Sequence, residues 1–250
     1  VLRIFRRGQN EEATVIADLK AIGIEVESTQ SWVNFGSHVS GSTDGIVSNV
    51  PTKGKKRAVL EIKTHSKKSF QDLEKHGLQK SKSEHYVQMQ CYMLGTGLDR
   101  GLYFAINKDD DSIYTEWVYF DKATAESAIE RGKRITLSDR MPEPISTDPS
   151  WYQCKMCDAH SFCHVKKLTN QVNCRTCAHA TPERGGDGRW SCAKGRDMTP
   201  CEQHLFNPYA LAWTITDAGD DWIEYETEHG EVIRNHEGNS QQIRDNWVPF

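Results

Sequence analysis

A chain of 250 residues, 37% hydrophobic and 26% charged, is long enough for one substantial core and a smaller appendage. Its formal charge of -4 and pI near 6.2 exclude coating of nucleic acid by net charge, so any such contact must come from local basic clusters. With no run of about 18 apolar residues and no apolar leader core, the chain is expected neither to span nor to enter a membrane, and to work in the cytoplasm.

From Leu2 to about Ile22, the residues Phe5, Val15, Ile16, Leu19 and Ile22 recur at helical spacing, and Gly23 stands where a helix would stop. A strand is expected at Ile24 to Glu27. Trp32 to Val50, rich in Gly, Ser and β-branched residues, reads as a hairpin whose second arm carries Ser42, Asp44 and Ile46 on one face. Lys53 to Lys56 would be the following turn. Arg57 to Thr64 is an apolar strand with two charges set into it, and Ser69 to Gly97 reads as helical with a break near Gly77. Gly101 to Ile106 and Ile113 to Phe120 form a hairpin around the polar turn Asn107 to Asp111, and a helix follows from about Ala123 to Leu137. That order predicts an α/β chain with a mixed sheet flanked by helices.

Met141-Pro142-Glu143-Pro144 opens a loop and marks a boundary, dividing the chain into a core (1–148), a Cys-rich module (149–208) and a C-terminal β-meander (209–250). In the meander Trp213, Ile215, Trp222, Ile223, Tyr225 and Val232 alternate with polar residues; the aromatics would pack together or stack on bases.

Within Val59-Leu60-Glu61-Ile62-Lys63-Thr64, residues two apart share a face, so Glu61 and Lys63 project together while Leu60 and Ile62 face the other way. Two ionisable groups on a core strand must be paired or hold a metal, because an isolated buried charge costs several kcal/mol. Asp44 would supply a second carboxylate. Two carboxylates with water make a hard oxygen site suited to Mg²⁺ or Mn²⁺, and a neighbouring lysine can orient or deprotonate an attacking water. The plainer alternative is a Glu61–Lys63 salt bridge on a solvent-facing strand. Further carboxylate and polar groups fall into line: Glu12 continues the apolar stripe of the first helix with Gly8 leaving room beside it, and Gln88 and Tyr92 stand four apart on one helical face. His38, near the hairpin, is a second-tier candidate. The basic clusters Arg3, Arg6 and Arg7; Lys53, Lys55, Lys56 and Arg57; Lys67 and Lys68; and Lys80 and Lys82 each read singly as solvated faces.

Taken together and in this order, Gly8 with Glu12, Ser42-Thr43-Asp44-Gly45, Glu61-Ile62-Lys63 and Gln88-x3-Tyr92 resemble the PD-(D/E)XK nuclease superfamily in its RecB-like branch, which includes CRISPR-associated and phage exonucleases. The resemblance covers roughly residues 1 to 140 and implies a restriction-endonuclease-like core of order αβββαβ with the carboxylates at one sheet edge. It implies that Asp44 and Glu61 bind Mg²⁺ or Mn²⁺ directly, that the Ile62 carbonyl adds a third oxygen, and that Glu12 acts directly or through water. Lys63 would position the water nucleophile and offset charge on the transition state, and Gln88 and Tyr92 would steady the DNA end or Lys63. The implied activity is a metal-dependent deoxyribonuclease, an exonuclease acting on linear or single-stranded DNA ends in recombination, repair or phage DNA processing, in a bacterial or phage-infected cell and with a DNA-processing partner protein. The alternatives are a catalytically idle, zinc-stabilised DNA-binding module and a structure- or site-specific endonuclease.

Seven of the eight cysteines fall between residues 154 and 201, a spacing that suits metal binding in a reducing compartment better than disulfides. Cys174, Cys177, Cys192 and Cys201 supply four thiolates for a closed tetrahedral zinc site, with His204 as a substitute ligand. Cys154, Cys157 and Cys163 form a trio one ligand short, completed either by His160 around zinc or by a further cysteine around a [4Fe-4S] cluster. Several RecB-like nucleases build such a cluster from a trio after the core and one cysteine ahead of the first glutamate, and the resemblance favours iron–sulfur here. This sequence departs from the pattern in having no cysteine before Cys91: in a complete chain the departure favours zinc or an incomplete cluster, whereas a cysteine upstream of Val1 would restore iron–sulfur. Cys91 itself reads as a small core residue.

Overall fold

The computed structural model describes residues 2–51, 56–138, 143–165, 171–183, 189–195, 201–208, 211, 213–227 and 229–246. The chain forms two compact units, Val1–Arg134 and Ile135–Phe250. Among the described residues no helix is long and apolar enough to cross a membrane. The turn expected at Lys53 to Lys56 and the loop expected at Met141 to Pro144 lie largely outside the described residues.

The first unit opens with α1 (Leu2–Ala21). Gly23, at φ 86°, ends it: its N–H returns to the Lys20 carbonyl at 3.0 Å and the Ile24 N–H to the Leu19 carbonyl at 3.0 Å. This paired closure needs a left-handed residue, which glycine adopts without a Cβ clash, and it leaves Leu19 and Ile24 in one apolar cluster. There follow β1 (Glu25–Glu27), β2 (Ser31–Asn34), β3 (Ser40–Thr43), β4 (Gly45–Ser48) and β5 (Ala58–His65). Three helices, α2 (Lys67–His76), α3 (Leu78–Ser81) and α4 (Ser83–Thr96), lead into β6 (Arg100–Asn107) and β7 (Ile113–Tyr119), and α5 (Lys122–Leu137) follows, the boundary between the units falling within its last turn.

Five strands make one mixed sheet of order β1-β4-β5-β6-β7. All neighbours run antiparallel except β5 and β6, which are parallel because the α2–α4 crossover returns the chain to the same end. Helix α1 covers the face bearing Leu60 and Ile62 through Val15 and Leu19. The opposite face, with Val59, Tyr103 and Ala105, is covered by Phe70 and Leu73 of α2 and Met89 and Met93 of α4. A strand covered on both sides reads as a continuous apolar run, as β6 does from Gly101 to Ile106, with all eight of its residues buried.

One expectation is corrected. The arm meant to carry Ser42, Asp44 and Ile46 is not one strand: Ser42 lies on β3, which pairs only with β2, and Ile46 lies on β4, which joins the five-stranded sheet. Asp44 occupies the bend between them. Local alternation could not reveal the break, since Thr43, Ile46 and Val47 are all buried but against different partners.

The second unit contains α6 (Tyr152–Lys155), α7 (His160–Val165), a single 3-10 turn at Cys174–Thr176, and the short hairpin β8 (Ala180–Pro182) with β9 (Trp190–Cys192). A three-stranded antiparallel sheet, β10 (Thr214–Gly219), β11 (Trp222–Glu226) and β12 (Val232–His236), precedes α8 (Ser240–Asn246). Its core is Leu205, Phe206, Leu211, Ile223 and Tyr225. Polar groups pin the 204–206 segment to the sheet: Tyr225 donates to the Phe206 carbonyl at 2.8 Å, and the Asn235 side chain accepts the Phe206 N–H at 2.7 Å. Of the meander aromatics, Tyr225 is fully buried, Trp213 meets its ring edge-on at 6.0 Å, and Trp222 lies 4.2 Å beneath the Arg234 guanidinium.

Candidate active site

The strand β5 places Glu61 and Lys63 on one face, with Glu61 fully buried and the Lys63 side chain 27% exposed. The Lys63 ammonium donates to Glu61 Oε1. The other oxygen, Glu61 Oε2, is buried and receives no hydrogen bond from any described residue. An orphaned carboxylate oxygen inside a protein is costly and marks a position where a ligand would be bound.

Asp44 is set by the way the sheet ends. Pairing of β4 with β5 stops at Gly45 opposite Leu60. The next outward-facing amide of β5, the Ile62 N–H, is taken by the Asp44 carboxylate at 2.7 Å instead of by a strand. The interrupted ladder therefore needs an acceptor, and the bend supplies it beside Glu61.

Glu12 approaches from α1. Its Oε1 accepts from the Gln30 side chain at 2.7 Å, and Gln30 in turn accepts from Ser42 at 3.2 Å. The role of Gln30 escapes sequence reading, because it rests on a turn that meets α1 only in three dimensions. Gly8 borders open space, with nothing within 4 Å of where a Cβ would be. From α4, Gln88 Nε2 donates to the Tyr92 hydroxyl at 2.9 Å. Tyr92 is buried beneath β3, where a Cβ on Gly41 would lie 2.9 Å from its ring and 3.2 Å from its hydroxyl. Gly41 is a second residue that sequence reading missed. His38 stands in the β2–β3 turn at φ 63°.

The electrostatics follow from burial. Desolvation pushes the Glu61 carboxyl up from 4.5 to about 7, with Lys63 opposing and Asp44 and Glu12 reinforcing the rise. Asp44 and Glu12 are likewise raised, chiefly by desolvation, and Glu12 also by Asp44. Burial works against the charge on Lys63, but Glu61 and Asp44 outweigh it and hold the ammonium above its ordinary range. Three crowded carboxyls thus face a single lysine, and a divalent cation would relieve all three. Among the described residues no three His, Cys, Asp or Glu side chains stand close enough together to hold a metal as they are. Glu12 is turned to Gln30, one oxygen of Asp44 to the Ile62 N–H and one oxygen of Glu61 to Lys63, while Glu61 Oε2 receives no hydrogen bond from a described residue.

All eight cysteines are free thiols. Cys154 is buried and raised by desolvation and then by Cys157, Asp148 and Cys163. His160 is engaged elsewhere, with Nε2 3.2 Å from the Pro149 carbonyl and its ring 5.1 Å from that of His164. Cys174, which opens the 3-10 turn, is raised by desolvation and then by Cys177, Cys201 and Cys192, the last at the end of β9. The turn is held by a capping box between Asn173 and Thr176. His204 is buried against it, Nε2 lying 3.1 Å from the Thr176 hydroxyl, and desolvation lowers it to about 4. Cys91, half-buried on α4, is raised by desolvation, as befits an inert core thiol.

No family model and no curated protein matches the chain. Among solved structures it is similar to SSO0001, with a TM-score of 0.40 and 24% identity over 62% of this chain and 68% of that one. It is also similar to the alkaline exonuclease LHK-Exo from Laribacter hongkongensis, with a TM-score of 0.38 and 21% identity over 53% of this chain and 66% of that one. The same protein in complex with dAMP gives a TM-score of 0.38 and 22% identity over 53% and 65% of the two chains.

Proposed function

We propose that the chain is a Mg²⁺- or Mn²⁺-dependent deoxyribonuclease, an exonuclease that hydrolyses phosphodiester bonds at DNA ends in recombination, repair or phage DNA processing. The observation that carries this reading is the buried, unpartnered Glu61 Oε2 beside Asp44 and the charged Lys63. Asp44 and Glu61 would hold the ion, which when bound supplies Lewis-acid polarisation of the scissile phosphate and a more acidic water. Asp44 is kept from turning away by the Ile62 N–H. Lys63, held charged, orients the attacking water and offsets the negative charge that grows on the phosphate oxygens. Gln88 and Tyr92, hydrogen-bonded to each other, steady the DNA end and wall the site from solvent. Glu12, held by Gln30, completes the negative set through water.

The thiol groups support two further assignments. Cys174, Cys177, Cys192 and Cys201 would hold a structural zinc, and Cys154, Cys157 and Cys163 a [4Fe-4S] cluster or, alternatively, a second zinc. These sites would shape the DNA path rather than cut. The enzyme is expected to work in the cytoplasm beside a DNA-processing partner.

The test incubates the protein with linear and circular DNA, with Mg²⁺, with Mn²⁺ and with chelator. Metal-dependent loss of linear DNA, abolished in Asp44→Ala by about 10²-fold or more, is expected. Absence of metal-dependent cleavage would leave a catalytically idle DNA-binding module. Cleavage of circular DNA at the same rate would replace the exonuclease with an endonuclease.

A further inference from the structure

The face of β5 that carries Glu61 and Lys63 carries a third polar residue, His65, which is buried. Its Nδ1 lies 3.1 Å from the Ser69 hydroxyl on α2 and its Nε2 lies 2.9 Å from the Tyr103 hydroxyl on β6. Tyr103, fully buried and opposite Glu61 in the β5–β6 register, lies by the same hydroxyl 2.9 Å from His85 Nδ1 on α4. Four residues from four elements thus form one unbroken chain, Ser69–His65–Tyr103–His85. His85 precedes Gln88 by three residues and Tyr92 by seven, so all three share the α4 face. Among the described residues nothing hydrogen-bonds to His85 Nε2.

The proton logic of this chain is restrictive. A hydroxyl between two imidazole nitrogens donates to one and accepts from the other, so one ring presents N–H to Tyr103 and the other a lone pair. In one arrangement Ser69 donates to His65, His65 to Tyr103 and Tyr103 to His85, which leaves an N–H on His85 Nε2. In the other every bond is reversed and His85 Nε2 is bare. Both rings stay neutral near pH 7: desolvation lowers each to about 4, helped by His85, Lys82 and Lys63 at His65, and by Lys63 and Lys82 against Glu84 at His85. Lys63 is the charge that weighs most on His85, which ties the end of the chain to the acidic set.

We propose that Ser69–His65–Tyr103–His85 is a proton relay whose active-site end, His85 Nε2, protonates the leaving nucleoside oxygen during phosphodiester hydrolysis; this rests on the nuclease reading above. Water attacks phosphorus, the bond from phosphorus to the leaving oxygen breaks, and that oxygen takes the proton from His85 Nε2. Tyr103 passes its proton to His85 Nδ1, His65 passes one from Nε2 to Tyr103, and Ser69 passes one to His65 Nδ1. Ser69, which is partly exposed, recovers a proton from solvent. When product leaves, His85 Nε2 takes a proton from water while Ser69 returns one, and the chain is reset. The proton of the attacking water goes to solvent. His85 is thereby a catalytic residue, while His65, Tyr103 and Ser69 are positioning residues that act through it.

The test compares DNA with the nitrophenyl ester of thymidine monophosphate, whose leaving group departs without a proton. His85→Ala and the isosteric Tyr103→Phe are expected to slow kcat on DNA by about 10²-fold or more and to slow the nitrophenyl ester far less. Nitrogen NMR of the metal-free protein gives a second readout: His65 and His85 neutral at pH 7, with tautomer populations that change in Tyr103→Phe. Equal slowing of both substrates, or no slowing on DNA, overturns the relay alone, as do charged imidazoles or unchanged tautomers. If the wild-type protein with metal cleaves neither substrate, the nuclease reading falls and the relay falls with it.

Discussion

Replacing Glu61 with Gln separates what the carboxylate does for chemistry from what it does to the fold. In the folded chain the Glu61 carboxyl holds its proton until about pH 7, against 4.5 ordinarily. Between those values the folded state binds the proton more tightly than the unfolded state, so stability falls as pH climbs through the window and the loss is complete above it. At roughly 1.4 kcal/mol per pH unit, ionised Glu61 costs the metal-free fold about 3 kcal/mol above pH 7. Glutamine imitates the protonated acid, and Lys63 keeps Asp44 as a counter-charge. Glu61→Gln should therefore match the wild type at pH 4.5 and gain up to that amount above pH 7. With roughly 2–4 °C per kcal/mol for a chain of this size, its melting point should rise by about 6 °C or more in chelator. Added Mg²⁺ or Mn²⁺ should restore the wild type and barely move the variant, which should also be inactive on DNA. Thermal melts at the two pH values, with and without metal, read all of this. A variant that melts below the wild type above pH 7 would refute the argument that burial of the Glu61 charge outweighs its pairing with Lys63.

Gly41→Ala places a Cβ 2.9 Å from the Tyr92 ring and should push it off Gln88, costing about 1–3 kcal/mol and slowing DNA digestion without weakening Mn²⁺ binding measured by calorimetry. Unchanged digestion would show that the Tyr92 position does not matter. The metal-loaded protein should contain zinc that Cys201→Ser loses, read by elemental analysis alongside thiol titration; an equal zinc content in both would place the metal elsewhere. Tyr225→Phe leaves the Phe206 carbonyl buried without its 2.8 Å donor and should destabilise the second unit by about 1–3 kcal/mol, measured by denaturant unfolding.

Period alone makes some of these features legible. A two-residue repeat puts Glu61 and Lys63 on one face of β5, a four-residue interval puts Gln88 and Tyr92 on one face of α4, and Gly23 stops α1 where the apolar stripe ends. The pairing of strands is not legible in the same way. The reading of Ser42, Asp44 and Ile46 as one arm failed because alternation reports which side of its own element a residue occupies, and not which neighbour covers that side.

The sequence by itself singled out the candidate residues: the inward charges of a core strand, the polar pair on a helix and the thiols at close spacing, because these depend on local geometry that each element imposes alone. Tertiary structure decided how they meet. The end of the β4–β5 ladder delivers Asp44 to the Ile62 amide, the turn at Gln30 holds Glu12, Gly41 admits Tyr92, and four separate elements join Ser69, His65, Tyr103 and His85. Such contacts bridge positions far apart in the chain, and their formation depends on the whole sheet closing around them, which no local window of residues encodes.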